Sequence, residues 1–230
     1  MTFWSTDSEL FTLMEQELFT CVVGDVMDKL RLHHQFLPPT IRPIANNTVV
    51  VGRAMPVLCG DVFEEVSSTS NNRIMAQPFG LMLEALDDLR SNEVYVSTGS
   101  TPRTATWGEM MATRSRKLGA SGAVLNGYYR DTKGLLRMNF PTFGFGPYGQ
   151  DSAPRYKVHD FRVPIEIGAV SIRPGDIIFG DIDGVCIIPK AAEEEVFSKA
   201  LEKARGEKLV RKALESGESA VTAFHKYGIM

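Results

Sequence analysis

Cysteine is scarce in this 230-residue chain: Cys21, Cys59 and Cys186 are odd in number, far apart and set in apolar surroundings. That excludes a disulfide framework or a zinc knuckle, and a reducing, cytoplasmic setting is expected. Charge of one sign is also lacking. The formal net charge is -3 with acids and bases interspersed, so no broad positive field exists to attract nucleic acid. No apolar run is long enough to span a bilayer, and Met1 to Asp7 has neither the basic nor the apolar region of an export signal. Neither a membrane nor a nucleic-acid partner is expected. Internal repeats and low-complexity tracts are missing, as is a Gly-x-Ser-x-Gly elbow, and no cysteine has an obvious histidine partner. Covalent nucleophilic catalysis therefore has little support.

What is present is an ordinary globular composition, with 43% hydrophobic and 23% charged residues. One domain over residues 1–230 is expected from the length. Helical spacing predicts helices over Ser8–Phe19 (with Asp7 or Ser8 as N-cap), Val22–Leu30, Phe79–Leu89, Trp107–Leu118 and Ala191–Leu214. Strands are predicted over Thr48–Leu58, with a break or bulge at Gly52, and over Glu93–Ser97, Ala123–Leu125, Thr142–Phe145 and Val163–Ile167. Ile177–Phe179 and Val185–Ile188 read as a tight hairpin around Gly180-Asp181-Ile182-Asp183-Gly184. This mixing of elements favours an α/β or layered β/β/α domain.

Several motifs resolve to plain roles. Gly144-Phe145-Gly146-Pro147-Tyr148-Gly149 has the glycines of a dinucleotide site, but Pro147 and the lack of a following helix make it a loop-shaping segment. Asp181 and Asp183 lack the later bidentate acid of a calcium loop, because Ala192 holds that place. His33 and His34 are adjacent, so they cannot share a helix face as zinc ligands.

Two segments remain. The run Ala123 to Tyr129 ends on Arg130-Asp131, where a loop over the sheet edge could hold a ligand. Taken alone, that pair reads first as a local salt bridge, with Asp131 capping the segment after it. Thr106-Trp107-Gly108-Glu109-Met110-Met111 would place backbone N–H groups at a helix start, an anion site. Glu109 by itself is an acid expected in a first turn on dipole grounds. Together, the helix start, an arginine and a hard oxygen ligand suit metal-assisted chemistry at a carbonyl.

At these residues the chain resembles the family of regulator of ribonuclease activity A and the 4-hydroxy-4-methyl-2-oxoglutarate aldolases. The resemblance runs through Gly24-Asp25-Val26-Met27-Asp28-Lys29-Leu30, Thr106-Trp107-Gly108-Glu109, Gly119 to Val124 and Gly127-Tyr128-Tyr129-Arg130-Asp131. It continues at Val163 to Gly168 and from Arg173-Pro174-Gly175-Asp176 to Val185, and so covers most of the chain in order. It implies a swivelling-domain-like layered β/β/α fold with a central barrel-like sheet, peripheral helices, and terminal helices at subunit contacts of a homotrimer or homohexamer. It also implies a class II pyruvate aldolase using Mg²⁺ or Mn²⁺ on a 2-oxo acid, with oxaloacetate decarboxylation through the same enolate. By position, Asp131 would be the metal ligand, and Arg130 would contact the keto or enolate oxygen. The backbone at Gly108, Met110 and Met111 would hold the pyruvyl carboxylate. Glu109 would stand near the metal's water shell, and Glu207 would match the acid from a neighbouring subunit. Where many relatives have an aspartate and two glycines, this chain has Ser97-Thr98-Gly99-Ser100, a departure that bears on substrate size. Two other readings accompany this one: a non-catalytic binding regulator of a ribonuclease, and a sugar-acid lyase or dehydratase.

Overall fold

The structure, a computed structural model, describes residues 3–62, 71–153 and 155–229, so Met1 and Thr2 of the opening segment lie outside it. Two compact units divide the chain: Met1–His33 with Ala191–Met230, and His34–Lys190.

The first unit is helical. It contains α1 (Asp7–Glu17), α2 (Thr20–Lys29) and, from the far end of the chain, α6 (Glu193–Glu215) and α7 (Ala220–Tyr227), with α3 to α5 in the second unit. The cap of α1 is Thr6, ahead of the expected Asp7 or Ser8, and its side chain accepts the Glu9 N–H at 3.2 Å. Helix α6 buries Val196, Phe197, Ala200, Leu201 and Ala204, the i, i+3, i+4 stripe of a helix with one apolar face. It packs against α1, α2 and α7. The Arg205 guanidinium meets Glu17 through two bonds of 2.8 and 2.9 Å, which holds the Glu17 carboxyl below its usual range.

The second unit carries β1 (Arg42–Pro43), β2 (Val50–Asp61), α3 (Met82–Asp87), β3 (Glu93–Thr98), β4 (Ala105–Trp107), α4 (Glu109–Lys117), β5 (Gly122–Leu125) and β6 (Tyr128–Tyr129). It continues with α5 (Thr132–Met138), β7 (Thr142–Gly144), β8 (Tyr156–Phe161), β9 (Ile165–Ile167), β10 (Val170–Ile172), β11 (Ile177–Asp181) and β12 (Gly184–Ile188). The main sheet runs β1-β7-β5-β3-β2-β11-β12, with β8 also paired to β2. Strands β2, β3, β5 and β7 are mutually parallel, and the flanking pairs are antiparallel. The fold is mixed α/β, and in this unit α3, α4 and α5 pack on a nearly closed, barrel-like sheet.

Two cores explain why the central strands read as continuous apolar runs. Side chains alternate across a strand, so Val94 and Val96 of β3 and Val124 of β5 enter one core with the β9–β10 hairpin. Tyr95, Ala123 and Leu125 enter the other, with Met82 and Leu86 of α3, Ala112 of α4 and Leu135 of α5. The result is a β/β/α layering.

Three expectations change. Strand β2 passes through Gly52 without a break, and its irregularity falls between Leu58 and Cys59. Gly52 is required by a close approach: a Cβ there would stand 2.5 Å from the Asn92 carbonyl oxygen. Trp107 ends a strand instead of opening a helix, and α3 is six residues long because Phe79 and Gly80 are held against Val158 of β8. The Asp181–Asp183 segment is the expected hairpin turn, with the Asp183 N–H donating to Asp181 Oδ1 at 2.9 Å.

Candidate active site

The parallel pairing of β3 with β5 brings the loops after their C-terminal ends side by side. There the chain forms a second, very short parallel pair: Ala105 of β4 opposite Tyr128, and Trp107 opposite Tyr129 of β6. The Arg130 N–H donates to the Trp107 carbonyl at 2.9 Å, so the Trp107-Gly108-Glu109 turn and the Arg130-Asp131 pair are fixed to one another through backbone.

Asp131 occupies the N-cap position of α5 in the left-handed region, φ 57°, and makes no side-chain capping bond. Aspartate is among the residues that tolerate this conformation. Its carboxylate instead faces the start of α4, where Oδ2 accepts the Glu109 N–H at 3.2 Å and stands 3.6 Å from Arg130 Nε. Gly108 makes room for it, since a Cβ at that position would meet Asp131 Oδ2 at 2.7 Å. The capping role expected of Asp131 taken alone is thus absent, and the local ion pair is long. Arg130 reaches a second carboxylate: Nη1 is 2.9 Å from Asp151 Oδ1.

Sequence reading missed Asp151, which lies 20 residues beyond Asp131. The loop of closely spaced glycines delivers it. Phe145 N–H bonds Gly127 O, Tyr129 N–H bonds Gly146 O, and Tyr148 N–H bonds Tyr129 O, so the loop zips along β6. Ala105 N–H then takes the Gln150 carbonyl at 2.9 Å. Hydrophobicity and spacing carry no trace of this delivery; the only signal is an acid two residues after a Gly-Pro-Tyr-Gly segment.

Arg130, Asp131 and Asp151 line a cavity of about 210 Å³ with Gly108, Met110, Met111 and Ser152. Phe79, Met82 and Trp107 complete its apolar side. Met110 and Met111 are the second and third residues of α4, whose first-turn N–H groups have no partner within the helix. The Glu109 side chain turns away from these lining residues, over Gly134 and to Arg137, whose Nη2 is 3.3 Å from Oε1. Glu207 belongs to the first unit, where Lys203 Nζ holds it at 2.7 Å and also bonds Asp25 at 2.6 Å.

Among the described residues no group of three or more His, Cys, Asp or Glu is gathered as a ligand cluster. Mg²⁺ and its like need only one or two carboxylates and keep several waters, and Asp131 with Asp151 beside an open cavity meets that demand. The residues fit a hard cation of this kind.

The family model described as RraA-like, Aldolase/RraA, matches residues 20–187, nearly three quarters of the chain. The chain belongs to this family. A relative from Halalkalibacterium halodurans, provisionally named 4-hydroxy-4-methyl-2-oxoglutarate aldolase, is 32% identical over 207 residues, covering 89% of each protein. Among solved structures, an uncharacterized protein from Pseudomonas syringae pv. tomato matches with TM-score 0.82 at 24% identity, over 99% of this chain and 98% of that one. Streptomyces coelicolor RraAS2, described as an unusual member of the RNase ES inhibitor RraA family, matches with TM-score 0.77 at 20% identity, over 90% and 99%. At those identities the likeness to the solved structures is one of fold. Among the described residues, no helix is long and apolar enough to cross a membrane.

Proposed function

We propose that this protein is a divalent-metal-dependent lyase that cleaves a 4-hydroxy-2-oxo acid to pyruvate and an aldehyde or ketone, and decarboxylates oxaloacetate through the same enolate. The observation that carries this reading is the glycine-cleared approach of the Asp131 carboxylate to the start of α4, beside Arg130 and in one cavity. Charges this exposed add only about 0–1 kcal/mol each to folding. Stability alone therefore gives little reason for a left-handed aspartate and an obligatory glycine to be set against each other.

The division of labour follows from the residues. The N–H groups at Met110 and Met111 take the pyruvyl carboxylate, as helix starts take anions. Arg130 offers its guanidinium to the keto oxygen, where negative charge grows as the C3–C4 bond breaks and its electron pair moves toward the carbonyl. Asp131, with Asp151, would hold Mg²⁺ or Mn²⁺, which supplies Lewis-acid stabilisation of that charge when bound. Glu109 orients Asp131 through its backbone N–H.

Aldol cleavage also needs an acceptor for the C4 hydroxyl proton, whereas oxaloacetate decarboxylation does not. Glu109, acting through water because its side chain faces Arg137, and a Glu207 contributed by a neighbouring copy in a trimer or hexamer are the acids for this role. Whichever of Glu109→Gln and Glu207→Gln loses cleavage while retaining decarboxylation identifies it.

The deciding assay is pyruvate release from a panel of 4-hydroxy-2-oxo acids and oxaloacetate, with and without Mg²⁺ or Mn²⁺. Asp131→Asn should lower turnover by about 10²–10³-fold with an unchanged circular dichroism spectrum. No pyruvate from any substrate, or equal turnover in the variant, would overturn the reading.

A further inference from the structure

Resting on the lyase reading, we infer that this cavity selects substrates whose distal half is apolar, and disfavours those that carry a second carboxylate beyond C4. Among the described residues lining it, Arg130 is the one cation, and it already faces two carboxylates, Asp131 and Asp151. The lining therefore holds one more negative charge than positive. A divalent cation and a single substrate carboxylate bring the site to neutrality. A second carboxylate leaves an unbalanced charge, and the surface that remains to receive it offers no cation: it is mainly Phe79, Met82, Ala105, Trp107, Met110 and Met111, with Thr106 and Ser152 as its only hydroxyl-bearing residues among those described.

The origin of those side chains makes the wall part of the fold. Phe79 is tied to β8 by its carbonyl, which accepts the Val158 N–H at 3.1 Å, and Met82 opens α3 nine-tenths buried. Trp107 is 1% exposed, stacks on Phe140 and packs against Tyr95 with the rings tilted by 41°. These residues are fixed by packing and cannot turn aside to admit a hydrated anion. Placing a carboxylate against them without a partner forfeits its hydration, whereas a short alkyl or aryl group gains by leaving water. Cation-free apolar walls discriminate against charge more strongly than against one methylene more or less.

The test has two arms. In the first, kcat/KM for 4-hydroxy-2-oxopentanoate and 4-hydroxy-2-oxohexanoate should exceed that for 4-hydroxy-2-oxoglutarate by about tenfold or more. In the second, independent of turnover, calorimetry with Mn²⁺ present should show 2-oxohexanoate binding about tenfold more tightly than 2-oxoglutarate. Phe79→Arg, with its fold checked by circular dichroism, should move both ratios toward the diacid. Equal or better use of 4-hydroxy-2-oxoglutarate, or equal or tighter binding of 2-oxoglutarate, would overturn the inference and leave the lyase standing. No pyruvate from any compound, with 2-oxohexanoate still the tighter ligand, would instead sink the lyase reading and leave the selectivity.

Discussion

Residue 108 shows how much of the site depends on an atom that is missing. Gly108 has an extended backbone, φ -158°, so alanine carries no conformational penalty there. Its Cβ would nonetheless sit 2.7 Å from Asp131 Oδ2 and 3.3 Å from Arg130 Cγ. Gly108→Ala should therefore displace the carboxylate and cost about 10²-fold in turnover, while the thermal midpoint moves little. A parallel loss of midpoint and activity would mean that the glycine serves the fold instead. Arg130 and Asp131 were legible as a pair in the sequence because charges at the end of a buried strand stand out. Asp151 was not, since its place depends on backbone bonds from the 145–150 loop to β6 and β4.

At the scale of elements, packing overruled local preference in identifiable places. Trp107 shares helical spacing with Met110 and Met111, yet its pairing with β6 keeps it in a strand. Strand β8, Tyr-Lys-Val-His-Asp-Phe, escaped notice because its polar residues leave neither an apolar run nor an alternation, and Lys157 is buried beside Tyr156 and Val158. The parallel strands were readable because both their faces are covered. The same coverage makes Gly52→Ala expensive: its Cβ meets the Asn92 carbonyl at 2.5 Å and Val94 Cγ2 at 3.0 Å. A loss of about 1–3 kcal/mol in urea denaturation is expected, and no loss would show that β2 and β3 can part at this point.

For the molecule as a whole, the core holds protons that an unfolded chain would release in alkali. Burial pushes the Cys59 thiol from its ordinary 9.0 up to about 12, against the opposing effect of its bond with Tyr156 Oη at 3.0 Å. Burial likewise raises the Tyr95 and Tyr156 phenols well above their usual range. Between pH 9 and about 12 the unfolded thiol is ionised and the folded one is not, so the unfolded state binds fewer protons and stability falls as pH rises. The urea midpoint should decline through that window, and Cys59→Ala should make the decline shallower while the tyrosines keep part of it. An identical slope in the variant would remove the thiol from the account.

The two-rung pairing of β4 with β6 also bears on how such a protein can diverge. Because it joins the two halves of the site by main-chain bonds, its geometry is indifferent to most side chains around it. The positions that shape the distal wall, Phe79 and Met82, arrive on a separate element. Exchange of that wall can redirect the protein to a new carbon skeleton while the pyruvyl end stays in place, so relatives with the same arginine-aspartate pair need not share a metabolite.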